Sequence, residues 1–96
     1  MKTDNPYKVY VEVTVSFKPD GTMFPRAIYW IDGIRYDVDR VVSMRPGFAA
    51  KAGGQGDMYT IKVNGKQTKI FFERATSITD DVVGKWFVES RSPILN

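Results

Sequence analysis

The sequence contains no cysteine and no histidine. Together those absences remove most of the nucleophile and metal chemistry open to a small protein. Zinc sites built on thiolate and imidazole ligands are excluded. So are Ser-His-Asp and Cys-His nucleophilic systems, and a histidine acting as general base. Lack of cysteine leaves no disulfide to staple the chain and fits a reducing compartment. No stretch reaches the roughly 18 apolar residues of a membrane span, and the N-terminus, MKTDNPYKVY, has no apolar run of the signal-peptide kind. These features lead us to expect a soluble, cytoplasmic protein with no membrane partner, no cofactor, no bound metal and no catalytic residues. Charge of one sign is also in short supply. Fourteen Lys and Arg against eleven Asp and Glu give +3, a solubility charge that also permits weak attraction to nucleic acid or another polyanion.

What is present is a strand former's composition. Hydrophobic residues make up 43% of the chain, enough to fold, and aromatics at 14% can supply much of a thin core. A chain of 96 residues is one domain (1–96). We place its core at about 7–90, with a frayed tail at 91–96. Tyr7, Val9, Val11, Val13, Val15 and Phe17 alternate with Lys8, Tyr10, Glu12, Thr14, Ser16 and Lys18. Only an extended strand puts every second residue on one face. Pro19-Asp20-Gly21 follows as a turn. A second strand runs from about Met23 to Ile31, with Pro25 near its start pointing to an edge or a bulge. Asp32-Gly33 reads as a two-residue hairpin turn, which would set Ile31 opposite Ile34, Tyr29 opposite Tyr36 and Trp30 opposite Arg35. The alternation changes phase between Val38 and Val41, so a bend is expected near Asp39-Arg40. Asn64-Gly65 is the strongest hairpin signal and sets Val63, Ile61 and Tyr59 opposite Lys66, Thr68 and Ile70. Thr79-Asp80-Asp81 reads as the cap of one helical turn, and Lys85 to Glu89 as a last strand with Trp86 and Val88 on one side.

The expected fold is therefore all-β: a small, strongly bent antiparallel sheet or partly open barrel of about six strands, because closure hides edges and buries one face. A two-layer β-sandwich is the alternative.

The glycine-rich stretch KAGGQGDMY, from Lys51, invites a phosphate-loop reading. A phosphate loop needs its glycines to lead through Gly-Lys-Ser/Thr into a helix N-terminus, which supplies aligned N–H groups. Here the lysine precedes the glycines and a strand follows. The segment, about 45–57, reads instead as a long flexible connection or as a partner-contacting loop at a barrel rim.

Two further groupings carry chemistry. Asp37 and Asp39 stand two apart on a strand, as a metal or acid–base pair would, but Arg35 and Arg40 beside them imply surface charge pairs. Lys62, Lys66, Lys69, Arg74 and Lys85 gather on one side of the sheet if the Asn64-Gly65 hairpin forms. Tyr10, Trp30 and Phe71 are aromatic candidates for the outward faces. A basic face with exposed aromatics is the recipe of single-strand binders. It equally describes a surface covered by a protein partner or a second subunit.

Pro25, Trp30, Gly33, Tyr36, Val38 and Val41, then KAGGQG and Tyr59, then Phe71-Phe72-Glu73 and Trp86-Phe87-Val88-Glu89, resemble a small uncharacterised β-rich family of gut Firmicutes proteins over roughly residues 9–89. More loosely, the frame from Pro25 through Trp30, Gly33, Tyr36 and Val38 to the late Trp86-x-Val88 is similar to a small β domain found with Y-family DNA polymerases. The first likeness implies a bacterial source and the second a DNA-linked setting; neither implies catalytic residues. The combined expectation is a non-enzymatic small β-barrel binding module that contacts a protein partner or nucleic acid. The alternative is a self-associating structural protein, a homo-oligomer with no small-molecule ligand.

Overall fold

The computed structural model describes residues 7–49, 55–75 and 82–90. The Thr79-Asp80-Asp81 turn, the centre of the glycine segment and the tail at 91–96 lie outside them. Seven strands occur: β1 (Tyr7–Phe17), β2 (Met23–Tyr29), β3 (Arg35–Asp37), β4 (Arg40–Ala49), β5 (Gln55–Val63), β6 (Lys66–Arg74) and β7 (Gly84–Ser90). Every pairing is antiparallel, and the sheet order is β3-β2-β1-β7-β6-β5-β4.

That order forces curvature. β3 and β4 are the two outermost strands, yet only Val38 and Asp39 separate them in sequence. Two residues span at most about 7 Å, so the two edges of the sheet must meet there. They do so through successive amides pointing opposite ways. Val38 N–H donates to Arg26 O in β2, and Asp39 N–H donates to Lys62 O in β5. The sheet thus curls into a half-barrel, joined at the bend expected near Asp39-Arg40 and open beyond it. One sheet closing on itself leaves no place for the alternative sandwich.

Turn chemistry fixes the registers. Asn64 (φ 52°) and Gly65 (φ 76°) form the two-residue turn, and Val63, Ile61 and Tyr59 face Lys66, Thr68 and Ile70 as the sequence predicts. Asp32-Gly33 behaves differently. Trp30 N–H donates to Ile34 O, Gly33 N–H returns to Trp30 O, and only Gly33 takes a positive φ. The loop therefore has three residues, Ile31 to Gly33, and Asp32 Oδ1 accepts the Ile34 N–H at 2.9 Å. The register moves by one: Tyr29 faces Arg35, and Ile28 faces Tyr36. The β1–β2 turn repeats this arrangement, with Asp20 Oδ1 accepting from Thr22 and Gly21 at φ 91°.

Pro25 stands at a bulge, as its missing N–H requires: Thr14 pairs with Ala27 and Val15 with Pro25, leaving Arg26 as the extra residue. The strand that raises the count from six to seven is β4, together with the first residues of β5. Much of the 45–57 segment is ladder rather than loop, with Pro46-Gly47 opposite Asp57 as a bulge. Gly47 takes φ 64°, and its N–H is held by Asp57 Oδ1.

The inner face carries the main core of Ile28, Tyr59, Ile61, Ile70 and Trp86, with Val11, Val13, Val41, Phe72 and Val88 packed against it. Tyr59 and Phe72 each lie about 5 Å, centroid to centroid, from Trp86. A second cluster, Met58, Phe71 and Phe87, is buried on the outer face, with Phe71 and Phe87 stacked at 5.0 Å.

Candidate functional site

Cross-strand partners share a face of the sheet, so the registers assign each predicted site residue to a side. Lys62 lies opposite Gln67, Lys69 opposite Thr60, and Lys85 opposite Glu73. These three share the outer face with Tyr10 and Phe71. Lys66 pairs with half-buried Val63, and Arg74 follows Phe72 by two residues. Both therefore belong to the inner side of β6, at its opposite ends. The five cations do not form one patch, because β6 alternates and its even positions point inward.

The aromatic candidates also divide. Phe71 is on the outer face as expected but only 1% exposed, because it stacks on Phe87. Trp30 is an inner-side residue. It follows Ile28 by two and lines a small cleft of about 250 Å³ with Tyr36, Val63 and Val88 at one end of the half-barrel. The three-residue turn shifts the phase that would have turned it outward. Tyr10 is 46% exposed, but its surroundings hold it. Its hydroxyl donates to Glu73 Oε1 at 2.9 Å, its ring meets the edge of Phe87, and Lys8 and Lys85 lie over its ring.

Glu73 is the hub of that outer group. The Lys8 ammonium lies 3.0 Å from Glu73 Oε2. The hydrogen bonds from Lys8 and then Tyr10 hold the Glu73 carboxyl below its ordinary value. Burial pulls the Lys8 ammonium down, but the bond and charge of Glu73 outweigh it and leave Lys8 raised. The bond to Glu73, then burial, raises the Tyr10 phenol. This is a structural knot joining β1 to β6.

Asp37 and Asp39 likewise have structural partners. Arg35 Nε donates to Asp37 Oδ1 at 2.8 Å, and Gly65 N–H donates to Asp39 Oδ2 at 3.1 Å. Among the described residues no three acidic side chains converge on one point.

The feature hidden from sequence reasoning is a cleft of about 600 Å³ where the half-barrel opens. The β1–β2 hairpin supplies Phe17, Met23 and Phe24 to one wall, and Met44 of β4 faces them. Tyr59 and Phe72, which are more buried, also line it, as does Val83 beside Ala75. Phe17 is 70% exposed, and Val83 and Met44 are also open to solvent. Large apolar side chains left open around a concavity need a reason other than folding. The polar element is one ion pair, Arg74 Nε to Asp57 Oδ2 at 3.0 Å, with Asp57 buried and Arg74 largely exposed. Burial, then the Asp57 charge, raises the Tyr59 phenol, so it stays neutral. A second cleft of about 580 Å³, lined by Pro46, Gly47 and Gly56, adjoins the first through Asp57, Phe72 and Arg74.

The available signal for the cleft was an apolar residue ending an alternating row beside a turn (Phe17) and an apolar pair just after the next turn (Met23-Phe24). Asp57 carried no signal because it ended the segment read as a connection, and Met44 stood just before that segment with no strand assigned to it. No protein-family model, no curated protein and no solved structure matches the chain.

Proposed function

We propose that this chain is a non-enzymatic binding module whose ligand-bearing feature is the cleft of the half-barrel, and that the ligand is part of a protein partner. The open apolar wall of Phe17, Met44 and Val83 carries this reading. Binding sites combine such walls with a few placed polar groups, here Arg74, Asp57 and Tyr59. An acid–base role is disfavoured by occupancy: one Asp57 oxygen accepts from Arg74 and the other from Gly47. With no histidine or cysteine in the chain, no imidazole or thiolate stands beside it. A photo-crosslinking amino acid placed at Phe17 in cells tests the reading. The expected result is a discrete protein adduct that disappears when Met44 is changed to Glu. Adducts with nucleic acid alone, or none, would count against it.

A second reading, nucleic-acid contact, keeps one specific support. Arg40, Arg45, Lys62 and Lys69 stand on the outer face of β4, β5 and β6 and form no ion pair among the described residues. With Phe71 and Phe87 buried and Tyr10 bonded to Glu73, that face offers phosphate contacts rather than a stacking platform.

A further inference from the structure

The cleft lies under a seam whose backbone is unfinished. The last rung joining β2 to the β3–β4 path is Val38 N–H to Arg26 O. The next residue along β2 is Pro25, which has no N–H, and the Arg26 bulge bends β2 there. Beyond that rung β2 and β4 approach one another, yet no backbone hydrogen bond joins them among the described residues. Among the described residues, the edge of β4 facing away from β5 therefore has no backbone partner from Arg40 to Arg45, a run that contains the Val42 bulge and ends at Pro46 and the Gly47 bulge. An edge of this kind is a template for another strand.

Side chains on both faces of that edge specify what would fit. Met44 is an inner-face residue at the cleft, opposite Tyr59. Arg40 and Arg45 are outer-face residues, opposite Lys62 and Met58. Arg26 stands across the seam on β2. None of these three arginines has an ion-pair partner among the described residues. A strand laid beside β4 would alternate in step with it. Its inward residues would enter the apolar cleft beside Met44, and its outward residues would stand beside Arg40 and Arg45. A second copy of this chain offering its own β4 would set arginine against arginine, which is unfavourable for directly opposed side chains.

We propose that the β4 edge accepts an extended segment of a protein partner as an added strand, with apolar residues entering the cleft and acidic residues alternating outward beside Arg40 and Arg45. This rests on the reading of the cleft as a protein-binding site and adds the form and charge of what binds.

The test uses the full chain and a fluorescein-labelled peptide of alternating glutamate and valine, read by anisotropy and by amide hydrogen exchange. The expected result is saturable binding, with exchange slowed at Val42 to Arg45. A lysine–valine peptide should bind at least about tenfold more weakly, and the Arg40→Glu/Arg45→Glu variant should reverse that preference. Methylating alternate backbone nitrogens of the glutamate peptide keeps its side chains but removes the donors on one edge. It should weaken binding by at least about tenfold in one of the two phases. Equal affinity for both methylated peptides and the unmethylated one would overturn strand addition while leaving the cleft as a side-chain site. No binding by any peptide, with crosslinking at position 17 intact, would also overturn it. So would a concentration-dependent dimer whose β4 amides are protected without peptide. Failure of the position-17 crosslink would instead remove the underlying reading.

Discussion

Arg74 Nε donates to Asp57 Oδ2 at 3.0 Å, and the other oxygen of Asp57 holds the Gly47 N–H at 3.2 Å. One buried carboxylate thus fastens the end of β6 to a bulge in β4 across the strand between them. Asp57→Ala removes both bonds and leaves the bulge amide without its acceptor. We expect a loss of about 1–3 kcal/mol in denaturant unfolding. Asp57→Asn keeps an acceptor oxygen and should recover part of that loss. Equal stability of wild type and the alanine variant would show that the bulge does not depend on this carboxylate.

The outer knot of Glu73, Lys8 and Tyr10 gives a pH signature of known sign. The Glu73 carboxyl is held low by Lys8 and then Tyr10. A depressed carboxyl contributes stability above its unfolded value, about 4.3, and loses that contribution as pH falls through the folded value. Lys8 has the opposite sense: its raised value gives stability that is present below about 10.4 and lost as pH rises through the folded value. Glu73→Gln should therefore cost about 1 kcal/mol at pH 7. The gap should close as pH falls below the carboxylate range. A gap that persists at pH 3 would point to packing instead.

How much of this was legible follows from where two residues per period suffices. β1, the Asn64-Gly65 hairpin and the Trp86-Val88 row read correctly because alternation and a two-residue turn fix the face outright. The bend at Val38-Asp39 was visible as a change of phase. Trp30 was misplaced because its face depended on phase carried across a turn, whereas Lys66 and Arg74 were grouped with Lys69 although the alternation of β6 already separates them. At Trp30 a three-residue turn takes the place of a two-residue one. On β6, strict alternation sends Lys66 and Arg74 inward and Lys69 outward. The cleft as a concavity could not be read, although Phe17 and Met23-Phe24 hinted at an apolar wall. It arises where strands separate, and separation is set by Pro25, two bulges in β4 and the sheet's curl, which no local pattern encodes.

Gly84 illustrates a constraint of that long-range kind. A Cβ there would lie 2.5 Å from Phe72 Cζ and 2.7 Å from Glu73 O. The ring can turn aside, but the carbonyl belongs to the β6–β7 ladder, where Glu73 and Arg74 pair with Lys85 and Gly84. Gly84→Ala must therefore part the strands, at about 1–3 kcal/mol as for other overpacked sites. It also disturbs Phe72 in the cleft wall. Gly65→Ala offers a contrast: nothing lies within 4 Å of its added Cβ, and its cost is the positive φ alone, about 1 kcal/mol. Thermal unfolding of the two variants should rank Gly84→Ala as the more damaging. The reverse order would mean that the two strands can part cheaply.

The split of the lysines between faces makes nucleic-acid contact testable without knowing a sequence preference. If the outer face meets phosphates, each neutralised phosphate contributes about 0.7 to the log–log slope of single-strand affinity against salt. Lys62→Gln/Lys69→Gln removes two outer-face charges and should lower that slope by about 1.4. Lys66→Gln removes the same kind of charge from the inner side of β6, so the slope should stay unchanged. Equal effects of the two variants would mean that binding follows net charge and not the outer face. Retention on single-stranded DNA that is insensitive to both would set the nucleic-acid reading aside and leave the cleft as the binding surface.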